Sequence, residues 1–188
     1  MLSGKAGLSQ VSQVYRQEAI KAIQTGNYTG ALEILGMAIV REPLNAENFY
    51  LRGYTKYALD DYLGAEMDYP RSIALAPYSA DVFAQRAIVR TQMENYGGAM
   101  EDFARALEMD PGNGEIWFHR ARANILQKKT YSCIVDCNKA LELNFRNESV
   151  YMLKAGAETE IKRYDEAMEN LNAALKLSPE SSNVYSRR

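Results

Sequence analysis

Four of the five prolines, Pro43, Pro77, Pro111 and Pro179, fall on one lattice of 34 residues, and its single vacancy is Phe145. The same interval links Tyr28, Tyr62, Tyr96 and Tyr164, with Tyr131 beside the vacancy at Thr130. It also links Ala31, Ala65, Ala99, Cys133 and Ala167, and then Ala38, Ser72, Ala106, Ala140 and Ala174. These columns divide the chain into five units: 12–45, 46–79, 80–113, 114–147 and 148–181. A unit this short cannot bury a core alone, so a recurring one must stack on its copies.

Inside a unit the period becomes helical. In the third, DVFAQRAIVRTQM and GGAMEDFARALEM are two amphipathic helices separated by ENY and closed by Asp110-Pro111. Gly53, Ala87, Ala121 and Ala155 on first helices face Ala65, Ala99 and Ala167 on second ones, where a bulky residue would force the pair apart. Tyr62, Tyr96 and Tyr164 are expected to fill the gap at the turn with a ring while the hydroxyl reaches a polar partner. Proline after each second helix stops it, because it cannot continue one. Phe145, in the place of a proline, predicts that the fourth hairpin runs more continuously into the fifth. Pro70, inside a second helix, predicts a kink.

Composition narrows the function classes. The chain is 188 residues long, with 22 basic and 24 acidic residues and no block of like charge. That balance lacks the electrostatic footprint of a nucleic-acid or anionic-lipid binder. No apolar run approaches the roughly 18 residues of a membrane span, and MLSGKAGLSQ has no apolar signal core. The expectation is a cytoplasmic protein as written, or a periplasmic one had an export signal been removed. Residues 1–11 match no unit and are expected to be loose or tag-like, and 182–188 to be a tail or the start of a truncated sixth helix.

These columns resemble the tetratricopeptide repeat. Phe49, Phe83, Trp117 and Tyr151 stand at that family's first large position, and Ala65 with Tyr69 and Ala99 with Phe103 at its middle pair. The family leucine is replaced by Arg52, Arg86, Arg120 and Lys154. The resemblance spans residues 12–181 and implies an all-α, right-handed α-solenoid of five helix-turn-helix hairpins, of bacterial type and a candidate fragment of a longer array. It also implies that the first helices line a concave face where peptide segments bind.

The basic column has a partner inside each hairpin. Sixteen residues after Arg52, Arg86 and Arg120 stand Asp68, Asp102 and Asp136, and the fifth unit changes both members, to Lys154 and Asn170. Residues that change in step point to an ion pair between the two helices, worth about 0 to 1 kcal/mol if exposed. Cys133 and Cys137 lie four apart on one helix, where Cβ atoms stand about 5–6 Å apart against the roughly 3.5–4.5 Å a disulfide prefers, so they read as free core thiols. His119 is the single histidine and has no companion ligands, so no metal, cofactor or catalytic site is expected, and no enzyme activity.

Carrying the family's binding face onto this chain selects Tyr50, Tyr54 and Tyr57, which share one helical stripe. Arg16 and Ile20, Gln85 and Ile88, Phe118, His119 and Arg122, and Met152 extend it. Phe49 is expected in the core. The carboxylate clamp that some family members use on chaperone peptides is absent, since its columns read Arg16, Ile20, Tyr50, Tyr54, Ala84, Gln85 and Ile88. The partner expected is a protein or a mixed apolar and polar peptide segment, with no nucleic acid and no integral membrane segment. The alternative is a structural assembly unit that self-associates through uncapped ends, or extends a larger array in a bacterial envelope or multiprotein complex.

Overall fold

The computed structural model describes the backbone of residues 3–181, 184 and 186, with side chains from Val11 onward. Among the described residues ten helices are delimited: α1 (Ser3–Gln24), α2 (Tyr28–Arg41), α3 (Ala46–Ala58), α4 (Tyr62–Leu75), α5 (Ala80–Gln92), α6 (Tyr96–Met109), α7 (Gly114–Leu126), α8 (Thr130–Glu142), α9 (Glu148–Glu160) and α10 (Tyr164–Leu177). No strand occurs among the described residues. The chain divides into two compact units, Met1–Asp102 and Phe103–Arg188, with the boundary inside α6. In the first, α1 packs on α2, α2 on α3, α3 on α4 and α4 on α5, while α3 also touches α1 and α5. In the second, α7 packs on α8, α8 on α9 and α9 on α10, and α7 touches α9. Each unit is thus a run of stacked hairpins, and the fold is an all-α helical-repeat solenoid.

One turn geometry closes every hairpin. Gly26, Asp60, Glu94, Lys128 and Lys162, each 34 residues after the last, adopt left-handed φ of 75°, 60°, 59°, 58° and 62°. The next residue then donates its N–H five residues back, as Asp61 does to the Lys56 carbonyl at 2.9 Å and Lys129 to that of Asn124 at 2.9 Å. This is the Schellman way of satisfying a helix's last carbonyls. Asn27, Asp61 and Asn95 next cap α2, α4 and α6 by accepting from the N–H of Gly30, Gly64 and Gly98. Glycine at that third position lets the cap side chain lie close to the backbone, since a Cβ on Gly64 would stand 2.0 Å from Asp61 Oδ2, while Asn147 caps α9 on Val150 in the same i+3 pattern without one.

The predicted ion pairs form, and they are bidentate. Arg52 grips Asp68 at 2.9 and 2.5 Å, Arg86 grips Asp102 at 2.8 and 2.6 Å, and Arg120 grips Asp136 at 2.9 and 2.6 Å. Each guanidinium also lies over the ring three residues before it, Phe49, Phe83 or Trp117. The carboxylates are not exposed, Asp68 being only 3% accessible, so the surface-pair estimate does not apply. Further donors complete each acid: Lys56 on Asp68, Arg90 on Asp102 and the Asn124 amide on Asp136. In the fifth hairpin the acid has crossed to the other helix. Buried Glu158 accepts from Asn170 at 2.8 Å and lies 3.7 Å from the Lys154 ammonium.

Several sequence expectations need correction. Helix α1 begins at Ser3, in a stretch, SGKAGLSQV, with no proline to prevent it. The fourth hairpin does not run on into the fifth. Phe145, unlike a proline, has an N–H, which bonds the Ala140 carbonyl at 3.0 Å, with Asn144 left-handed at φ 63°. That turn ends α8 at Glu142, and α9 starts only at Glu148. Tyr164 is exposed instead of filling its turn, since Lys162 stands where Asp60 accepts the Tyr62 hydroxyl at 2.7 Å. Pro70 lies inside α4, as read from the sequence, with its ring on the exposed side. Of the proposed sixth-unit start, Val184 is helical and buried against Ala155 and Leu171, and Tyr185 lies outside the described residues.

Candidate functional site

The site in the first unit grows from one small residue. Gly53 on α3 lies directly on the ring of Tyr69 from α4, and a Cβ there would come 2.9 Å from Tyr69 Cε1. With no side chain in between, Tyr69 sinks to 0% exposure. Its hydroxyl has no hydrogen-bond partner among the described residues. Burial first, then the hydroxyls of Tyr50, Tyr57 and Tyr54 and the Asp68 carboxylate, push its pKa far above the usual phenol value. Tyr69 therefore stays neutral, as a core ring with a buried hydroxyl unpartnered among the described residues.

Those three are half-buried. Tyr50 lies 6.4 Å from the Tyr69 ring and Tyr57 lies 6.0 Å from Tyr62, both packed on a cluster of Ala65, Tyr69, Val82 and Val89. Tyr54 is not among the rings packed on that cluster. Tyr50 also walls a cleft of about 310 Å³ shared by the start of α3, the end of α4 and the start of α5. Ala46, Glu47, Ser72, Ala76, Ser79, Asp81 and Val82 complete it. Glu47 and Asp81 are exposed acids in the first turns of successive first helices, where the helix dipole favours them. Glu47 and Asp81 belong to an acid column that recurs at Glu115.

The other expected contacts divide. Arg16 is held by Glu42 at 3.0 Å and Glu47 at 3.1 Å, which makes it a tie between hairpins. Ile20 and Gln85 are half-buried, whereas Ile88, at 5% exposure, is a core residue. In the second unit Phe118 is also core, packed 5.7 Å from Phe145. The reason is common to both: neighbouring helices cover part of each first helix, α3 and α4 in the case of α5 and α8 and α9 in that of α7, which leaves a narrower open stripe than helical periodicity alone implies. His119 is half-buried, 5.3 Å from Phe118 and 3.6 Å from Glu115. Burial and the nearby Arg122 charge lower its pKa against the opposing pull of Glu115. Arg122 is exposed, and Met152 packs beside Ala155 and Leu171.

Cys133 and Cys137 are free and buried. The hydrogen bond between them, helped by burial, pushes the Cys137 thiol pKa far up, so no thiolate forms near neutral pH. Among the described residues no group of three or more His, Cys, Asp or Glu side chains is placed to hold a metal ion. No helix among them is long and apolar enough to cross a membrane.

Comparison with known proteins follows this geometry. A family model described as tetratricopeptide repeat matches residues 148–181, the bounds of the fifth sequence unit, and a second so described matches 85–130. Residues 85–130 and 148–181 thus carry tetratricopeptide repeats. No curated protein matches it in sequence. Among solved structures, PilF of Pseudomonas aeruginosa is similar at TM-score 0.86 and 17% identity, over 96% of this chain and 82% of that one. MamA from Desulfovibrio magneticus RS-1 is similar at TM-score 0.79 and 16% identity, over 91% and 97%. YrrB, described as a TPR protein with an unusual peptide-binding site, is similar at TM-score 0.71 and 15% identity, over 92% and 89%. At such identities the likeness concerns the fold. The arginines in the repeat's leucine column, Arg52, Arg86 and Arg120, are the residues that build the buried ion pairs.

Proposed function

We propose that this protein is a non-catalytic interaction scaffold that binds a peptide segment of a partner on the α3 face of its first unit. One observation carries the reading: Tyr50, Tyr54 and Tyr57 stand half-open on one helix, above a fully buried Tyr69 and beside a cleft of about 310 Å³. Tyrosine is a favoured interface anchor because it buries a large area while immobilising few torsions. The cleft offers an aromatic wall with serine and carboxylate groups, which suits a segment of mixed apolar and polar character. Repeat proteins of this class commonly hold partners in this way. YrrB's described peptide-binding site makes the analogy concrete without transferring a ligand.

The test is selection of peptides from a random library on the wild-type chain, followed by affinity measurement on a Tyr54→Ala variant. An anchor cut to alanine costs roughly 2 kcal/mol, about thirtyfold in affinity. Selected peptides that bind the variant as well as wild type would end this reading.

A second reading, self-assembly, draws on the outer faces of two second helices. On α4, Leu63 and Met67 are 71% and 78% exposed, and on α8 Tyr131 and Val135 are 66% and 63% exposed. Spaced four apart, each pair presents an apolar strip to solvent. A molecular mass that rises with concentration, and falls back to the monomer in Leu63→Lys with Met67→Lys, supports it. A monomer at all concentrations excludes it.

A further inference from the structure

The chain holds no run of like charge, yet its 34-residue period places four cations on one edge of the second unit. Lys128 and Lys129 form the turn between α7 and α8, Lys162 and Arg163 the turn between α9 and α10, and all four are exposed. The Thr130 hydroxyl donates to Glu160 Oε2 at 2.9 Å, which ties the start of α8 to the end of α9 and holds the two turns side by side. The same two columns read Gly26-Asn27, Asp60-Asp61 and Glu94-Asn95 in the earlier hairpins, neutral or acidic throughout. Charge at this turn position therefore reverses sign from the first unit to the second with no change in turn geometry.

The reversal works against folding in two ways. Lys129 and Arg163 occupy the N-cap positions of α8 and α10 and supply no side-chain cap, where Asn27, Asp61 and Asn95 each do. A cation at a helix start also opposes the helix dipole. At α10 the first-turn acids Asp165 and Glu166 offset part of the dipole term, whereas α8 has no acid in its first turn. Arg52, Arg86 and Arg120 are ion-paired, while none of these four cations enters an ion pair among the described residues. The Lys129 ammonium donates only to the Gln127 amide oxygen, at 2.8 Å. A capping rule kept at three turns and broken at two marks a place where stability yields to function.

We propose that this edge docks an acidic peptide segment, its carboxylates set between the two cationic turns and its apolar groups against the exposed rings of Tyr131 and Tyr164. A peptide fits better than a nucleic acid. Glu160, Asp165 and Glu166 stand exposed beside the cations and would repel an unbroken row of phosphates, whereas a peptide can space its charges to avoid them. The chain's formal net charge of -2 points the same way.

The test compares wild type with Lys129→Asn plus Arg163→Asn, which restores the capping residue type of the earlier hairpins, and with Lys128→Glu plus Lys162→Glu. The probes are a fluorescent peptide of alternating glutamate and leucine, its charge-reversed lysine counterpart, and a single-stranded oligonucleotide. Wild type should bind the glutamate peptide in a salt-sensitive manner and leave the lysine peptide unbound. The asparagine pair should unfold at higher temperature yet bind about tenfold more weakly, and the glutamate pair should bind more weakly still. Equal binding by all three proteins overturns the proposal, as does tighter binding of the oligonucleotide than of the peptide.

Discussion

Gly53 and Tyr69 are a matched pair: the ring occupies the space that any Cβ at residue 53 would need, 2.9 Å from Tyr69 Cε1. Gly53→Ala should destabilise the first unit by about 1–3 kcal/mol, the usual cost of overpacking a filled core. The fifth hairpin carries the alternative solution, Ala155 with Leu171. Adding Tyr69→Leu to Gly53→Ala should recover part of the loss, read as the denaturant midpoint of the double variant against the single one.

Tyr50 and Tyr54 should part company under mutation. Tyr50 packs on the cluster around Tyr69, so Tyr50→Ala should lower stability by about 2 kcal/mol or more. Tyr54→Ala should leave the thermal midpoint near wild type and take its effect on ligand affinity. Thermal unfolding measured beside peptide affinity separates them, and a collapse of the fold in Tyr54→Ala would place that ring in the core as well.

The buried acid in the fourth hairpin should behave as a charge that cannot lose its partners. Asp136→Ala strands the Arg120 guanidinium and the buried Asn124 amide and should cost about 3 kcal/mol. Asn124→Glu with Asp136→Asn rebuilds the Glu158–Asn170 arrangement of the fifth hairpin one repeat earlier. Chemical denaturation should show this double variant clearly more stable than Asp136→Ala.

His119 predicts a slope of stability with pH. Its folded pKa is lowered, chiefly by burial, below the unfolded value of about 6.5. Such a group stabilises the fold above pH 6.5, and that contribution drains away as pH falls from there toward its folded pKa, because the unfolded chain takes up the proton first. His119→Gln should flatten the change in unfolding free energy between about pH 7 and 5. An unchanged slope would trace it to other groups.

Sequence made the hairpins and their ion pairs legible because each repeat is a control for the next. Arg52 with Asp68 stands out once the fifth hairpin alters both columns together. The left-handed turns were hidden for a chemical reason, since Asp60, Glu94, Lys128 and Lys162 occupy a conformation that glycine would have advertised. Phe145 misled because a missing proline says only that a stop signal is gone, whereas its N–H and Asn144 supply another. Ile88 and Phe118 were misplaced because periodicity identifies a stripe but not the width that neighbouring helices cover. The Arg16 tie to Glu42 and Glu47 crosses from one hairpin to the next, and no repeated column announces it.

The absence of side-chain caps on α8 and α10 also bears on how this array breathes. Amides in those first turns lack the acceptor that Asn27, Asp61 and Asn95 give their counterparts, so deuterium should enter there early. Local opening would then start beside the cationic turns, and a ligand seated on them would slow isotope uptake well beyond the atoms it touches.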